Sequence, residues 1–125
     1  MTSSAEKFGT ALAKAVKGTA ASFNESPKPH AAAYYIGEHE IRNEAAFADY
    51  LKQVIPMIER HGGRYLTKPG THELLEGHWQ PNRVVIIAFP DMASLKAWYY
   101  APDYRPLIAK RQAIARDVMI AIEGA

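Results

Sequence analysis

Residues 72–83 read His-Glu-Leu-Leu-Glu-Gly-His-Trp-Gln-Pro-Asn-Arg. Two imidazoles, two carboxylates, an indole and a guanidinium thus crowd into one short stretch before the apolar run of residues 84–89. Metal binding is the first chemistry to test. On one extended strand His72, Leu74, Glu76 and His78 would share a face, a plausible donor set for a borderline metal. Six residues of strand, however, separate the two imidazoles by roughly 20 Å, too far to share one ion. No metal site is expected. Metal-free acid–base chemistry is the second: Glu76 could move a proton and Arg83 could hold an oxyanion. Whether they meet depends on the turn between the strands. A two-residue loop at Pro81-Asn82 puts both on one face, and a three-residue loop from Gln80 puts them on opposite faces. Proline at the first loop position does not suit a type I′ turn, while a bulge could restore either arrangement. The plain alternative is that Glu76 only accepts hydrogen bonds, from Arg111 or from backbone amides.

Trp98, Tyr99, Tyr100 and Tyr104 form a second constellation. Aromatic walls with a few polar groups are the usual make-up of a small-molecule pocket. At least one of Trp98 and Tyr99 should be ordinary core. Arg111 follows Tyr104 by two helical turns and looks toward the same space, as a ligand contact or as half of a structural ion pair. Haem needs a proximal His, and no motif selects one among His39, His61, His72 and His78. No cofactor is expected.

These side chains must be carried by regular elements. Residues 32–41, with aromatic and β-branched residues in partial alternation, predict a strand. Asn43 then caps a helix with Phe47, Leu51, Val54, Ile55 and Ile58 on one side, kinked at Pro56 and ended at Gly62. Residues 64–67 predict a short strand, residues 68–70 a break, and residues 72–79 a further strand. Residues 83–89 are apolar after Arg83, which predicts a central strand buried on both faces. Pro90-Asp91 opens a helix, Pro102 a second helical piece, and residues 117–123 a last strand. The order β-α-β-β-α-β is the ferredoxin-like pattern, an antiparallel sheet with helices on one face. Its apolar second face then calls for cover, most simply by a second copy of the chain.

The 125 residues suit one domain, and an apolar fraction of 48% supports a core. No run is long enough for a membrane helix, and no secretory signal is evident. There is no Cys, so disulfides and thiolate chemistry drop out. A soluble, cytoplasmic protein is expected. The net charge of +2 lies in residues 1–32, where Lys7, Lys14, Lys17 and Lys28 face Glu6 and Glu25. The remainder is neutral and carries no electrostatic footprint for nucleic acid. Pro27 and Pro29 mark a linker. Residues 1–31 read as an extension, partly helical through Phe8, Leu12, Val16 and Ala20, and residues 32–125 as the domain.

Several ordered pieces resemble one family: Gly62-Gly63-Arg64-Tyr65-Leu66, Leu75-Glu76-Gly77, Trp79, Pro81, Arg83, Phe89-Pro90, Trp98-Tyr99, Tyr104 and Arg111. Together they are similar to the domain-of-unknown-function 1330 family, of the dimeric α/β-barrel group, which also holds cofactor-independent monooxygenases, lactone isomerases and haem enzymes. The resemblance runs from about Tyr34 to Glu123. It implies a homodimer with sheet packed on sheet, and it supplies no reaction. Two departures stand out. Lys68-Pro69-Gly70 replaces a common Arg-Gly-Gly. Ala101 replaces a Ser that would cap the second helical piece, which weakens its start by roughly 1 kcal/mol.

The expectation is therefore an α+β, ferredoxin-like homodimeric α/β barrel with a small-molecule pocket in each subunit. If it is an enzyme, Glu76, Arg83 and Tyr104 are the candidate catalytic residues, and Trp79, Trp98, Tyr99 and Arg111 the candidate ligand contacts. Its chemistry would be cofactor-free and monooxygenase- or isomerase-like, on a small polar or aromatic compound. The opposing reading is a non-catalytic or stress-related binding module.

Overall fold

The structure, a computed structural model, describes residues 31–67 and 71–125. The expected N-terminal helix and linker, and the break at residues 68–70, lie outside the described residues. The elements are β1 (Ala33–Ile41), α1 (Glu44–Arg60), β2 (Arg64–Tyr65), β3 (Arg83–Phe89), α2 (Met92–Tyr99), α3 (Arg105–Ile114) and β4 (Ala115–Glu123). They build an α+β fold around a four-stranded antiparallel sheet in the order β2-β3-β1-β4.

Period-2 alternation decides what each strand gives to the core. In β1, Ala33, Tyr35, Gly37 and His39 are buried on the helix side. Val85, Ile87 and Phe89 do the same from β3. Helix α1 meets them with Phe47, Tyr50, Val54 and Ile58, spaced for one face of a helix. Its start is fixed by Asn43, whose side chain accepts from the Ala46 amide at 3.0 Å. Its end is fixed by Gly62 at φ 81°, which a side chain would strain. Pro56 does not break it. Pro56 and Lys52, the residue whose carbonyl loses its partner, are both exposed, so water can serve that carbonyl.

Three expectations need correction. Residues 72–79 form no strand, and all of them are exposed. Leu74 and Leu75 are adjacent, so any strand there would point them to opposite faces and bury neither row. Gly77 at φ 95° also leaves the extended region. The hairpin whose turn length mattered therefore does not exist. Second, α3 starts at Arg105 behind an uncapped Tyr104, so residue 101 is not its cap position. Third, β3 is not buried on both faces. Val84, Ile86 and Ala88 on its outer side are half-buried, because among the described residues no helix or strand packs on that side. Val118, Ile120 and Ile122 of β4 extend the same uncovered apolar surface.

Candidate functional site

Strand register creates a polar row on the helix side of the sheet. His39 of β1 pairs across with Arg83 of β3 and with Asp117 of β4. The three side chains belong to one cross-strand row with the same parity as the core residues. His39 and the side chain of Asp117 are almost completely buried. His39 Nδ1 lies 2.6 Å from Asp117 Oδ1, and Arg111 Nη1 donates to Asp117 Oδ2 at 2.6 Å. Arg111 reaches in from α3 and is 1% exposed.

Chemistry decides the hydrogen between His39 and Asp117. A carboxylate held by a permanently charged guanidinium only accepts, so Nδ1 carries the proton and donates it. Nε2 is left with its lone pair. Burial lowers the pKa of His39, outweighing the upward pull of Asp117, and Arg111 and Arg83 push the same way as burial. The ring is therefore neutral at physiological pH.

Above the row, Phe47 of α1 lies 5.4 Å from the His39 ring, centroid to centroid, and Arg83 sits over its face at 5.3 Å. Arg83 also contacts exposed Glu44 at 3.4 Å, a long surface pair worth little. Next to Arg111, the hydroxyls of Tyr50 and Tyr104 share a hydrogen bond of 2.6 Å. Burial raises both phenols, and the charge on Arg111 opposes the rise. Burial also pushes Tyr65 up to about 12. These phenols are protonated donors, not bases.

His39 and Arg83 line a cavity of ≈50 Å³ between the sheet and α1, together with Phe47, Tyr50, Tyr35 and Trp98. Gly37 helps shape it, because a Cβ there would stand 3.0 Å from the Tyr35 ring that lies over it. Trp98 is core as well as wall. It stacks on Phe89 and contacts Tyr35 and Tyr104, and its buried Nε1–H has no acceptor among the described residues. Arg111 Nε and Nη2 are also buried without acceptors among the described residues. Buried unpaired donors each cost about 1–3 kcal/mol, and they cluster here beside the cavity.

The residues expected at the site divide into two groups. Arg83, Tyr104, Trp98 and Arg111 converge on this region. Glu76 does not: it is exposed in the segment after residue 70 and does not line the cavity. Trp79, 52% exposed, donates to Glu38 at 3.2 Å. Glu38 has outer-face parity, so Trp79 lies on the other side of the sheet from the cavity. Tyr99 is half-buried against Trp98 and Tyr104 and faces a separate, more open groove of ≈180 Å³ whose one charged lining residue is Lys96. The pairing of His39 with Asp117 is not among the expectations drawn from the sequence. A signal existed: His39 continues the inward parity of Tyr35 and Gly37, where a polar residue needs a partner. Among the described residues, no group of three His, Asp or Glu side chains stands close enough to hold a metal ion. Among them too, no helix is long and apolar enough to cross a membrane.

Residues 32–125 match the family model of the domain of unknown function DUF1330. The chain belongs to the DUF1330 family. Among solved structures, this DUF1330 chain is similar to RPA0582, a protein of unknown function from Rhodopseudomonas palustris. The identity is 21%, over 87% of this chain and 93% of that one, with a TM-score of 0.65. It is also similar to SnoaB, a cofactor-independent oxygenase from Streptomyces nogalater, at 15% identity over 76% and 94% of the two chains, with a TM-score of 0.54. Both likenesses concern the fold. No curated protein matches this DUF1330 chain.

Proposed function

We propose that this DUF1330 protein is a homodimer in which each protomer binds a small polar organic molecule between the sheet and α1 and acts on it by acid–base chemistry without a cofactor. The observation that carries this reading is the polar row Arg83–His39–Asp117 bordering an aromatic-walled cavity. A buried neutral imidazole, a guanidinium and an unpaired indole N–H in one small space suit a ligand that bears oxygen acceptors. Sharing a fold with a cofactor-independent oxygenase is compatible with chemistry done by side chains alone.

Roles follow from placement. Arg83 holds the ligand's oxygen, and Trp98 is a wall and a donor. Tyr104 and Arg111 support from behind. The acid–base role that spacing offered to Glu76 is better supported for the inner row. Size narrows the compound. A cavity of about 150 Å³ is known to take benzene, and ≈50 Å³ is well below that. A small polar compound of few heavy atoms therefore fits better than an aromatic one.

The homodimer supplies the missing cover. Sheets packed face to face stand about 10 Å apart with interdigitated side chains, and the outer face offers Ile36, Ile86 and Ile120 in one cross-strand row.

The test is a titration of the full chain with a panel of small ketones, amides and carboxylates, followed by methyl NMR. At least one compound is expected to shift Val85 and Ile87 together, with binding weakened about tenfold or more in Arg83→Met, the loss of one charge-assisted hydrogen bond. A panel that leaves both methyl sets unmoved would sink the pocket. A compound that binds there but is never altered would point to the non-catalytic module.

A further inference from the structure

We propose that His39 is the proton acceptor of this pocket, positioned by Asp117 and Arg111, and that its substrate is a small, flat enolisable carbonyl compound. This inference rests on the pocket reading above and adds a named base and a substrate class to it.

The geometry has three parts. First, the base is oriented. Asp117 fixes His39 Nδ1–H at 2.6 Å, and Arg111 fixes Asp117 from its other oxygen at 2.6 Å. A carboxylate bonded in this way holds one tautomer and favours the imidazolium once it forms. Asp117 accepts from the ring at one oxygen and from Arg111 at the other, so the imidazolium formed at Nε2 keeps the same oriented bond. Second, an anion holder stands beside the base. Arg83 is the direct cross-strand neighbour of His39, and Phe47 touches both side chains. A ligand lying between ring and guanidinium would meet a lone pair at one end and a cation at the other. Third, the space admits few atoms, and Trp98 Nε1 adds a donor that has no acceptor among the described residues.

The step balances without an added reagent. Nε2 takes a proton from the carbon next to the carbonyl. The C–H electron pair forms the enolate double bond, and the carbonyl pair moves to oxygen, facing Arg83. The imidazolium keeps its Nδ1–H on Asp117 and returns the Nε2 proton to carbon. When the Nε2 proton is first replaced by one from solvent, return to the same carbon is exchange; where a further C=C bond is conjugated with the enolate, return to the far end of that system is isomerisation. The charged groups acting on His39 are Asp117 from β4, Arg111 from α3 and Arg83 from β3, and the phenols of Tyr35, Tyr50 and Tyr65 line the same cavity.

Nitromethane is the probe, a flat C-acid of four heavy atoms whose anion also carries its charge on oxygen. Exchange of its hydrogens for solvent deuterium is followed by proton NMR with the full chain at neutral pH. Wild type is expected to exceed the same concentration of free imidazole by about 100-fold or more, the usual range for a positioned base. His39→Gln should fall to the background, and Arg83→Met should lose most of the gain. The rate should rise with pH through one ionisation and then level. Nitrogen-15 NMR of wild type should show His39 protonated at Nδ1 and bare at Nε2, which keeps the proposal decidable if a variant fails to fold. Exchange no faster than in His39→Gln, or a ring protonated at Nε2, overturns the proposal. Nitromethane that shifts the cavity methyls without exchanging removes the base and leaves the pocket standing. Nitromethane that neither binds nor exchanges also overturns the proposal, and the ligand panel then decides the pocket separately.

Discussion

His39 leaves water on folding, and burial lowers its pKa below the ordinary 6.5. The folded chain therefore binds fewer protons here than the unfolded chain once the pH drops below about 6.5. Stability from this group is complete above that unfolded value and is lost as pH falls from it toward the lower folded value. The urea midpoint should accordingly fall as the solution is acidified from neutrality, and His39→Gln should lose this part of the slope. An identical slope in the variant would show that other groups drive it. Arg111 makes a second prediction. It is the buried counter-charge of Asp117, and removing one partner of a buried pair costs about 3–5 kcal/mol. Arg111→Met should be destabilised on that scale in urea unfolding, and adding Asp117→Asn should restore a large part of the loss.

At the scale of elements, local chemistry sets the boundaries. Asn43 was legible as the start of α1 because a cap is a contact within one turn. Gly62 and Asp91 were legible for the same reason. The Asn43 bond to Ala46 is exposed, so Asn43→Ala should lower stability by about 1 kcal/mol and Asn43→Gly by only a few tenths. Thermal melts of the two variants check the order. The first turns of α1 also carry Phe47 and Tyr50 to the cavity, so fraying there would loosen the site as well. Residues 72–79 were misread because their residue types favour a strand while their order does not bury one. Two adjacent leucines and Gly77 at positive φ decided against it. With no strand there, Glu76 and Arg83 are not paired across a turn.

At the scale of the molecule, the outer face of the sheet is the main unspent apolar surface. Val118 is 65% and Ile120 56% exposed in one chain, and they lie in successive rows with Glu38 and Ile36. If sheet packs on sheet, Val118→Glu with Ile120→Glu places charges in the middle of that contact and should produce a monomer by light scattering, with helix and strand content unchanged by circular dichroism. Wild type that is already monomeric at micromolar concentration would remove the dimer. The helix-side cavity would be left as it is, because it faces the other way.

By itself, the sequence determined what depends on near neighbours. Period-2 and period-3.6 patterns, helix ends and the β-α-β-β-α-β order all follow from residues within a few positions of each other. The shared side of Tyr104, Leu107 and Arg111 was legible in the same way, while the face taken by Arg83 hung on the turn at Pro81. Only the tertiary structure joined His39 to Asp117, 78 residues away, and set Arg83 beside them. Strand register made that choice. A shift of one residue between β1 and either neighbour would have turned a partner to the outer face, and no local pattern in the chain encodes the offset.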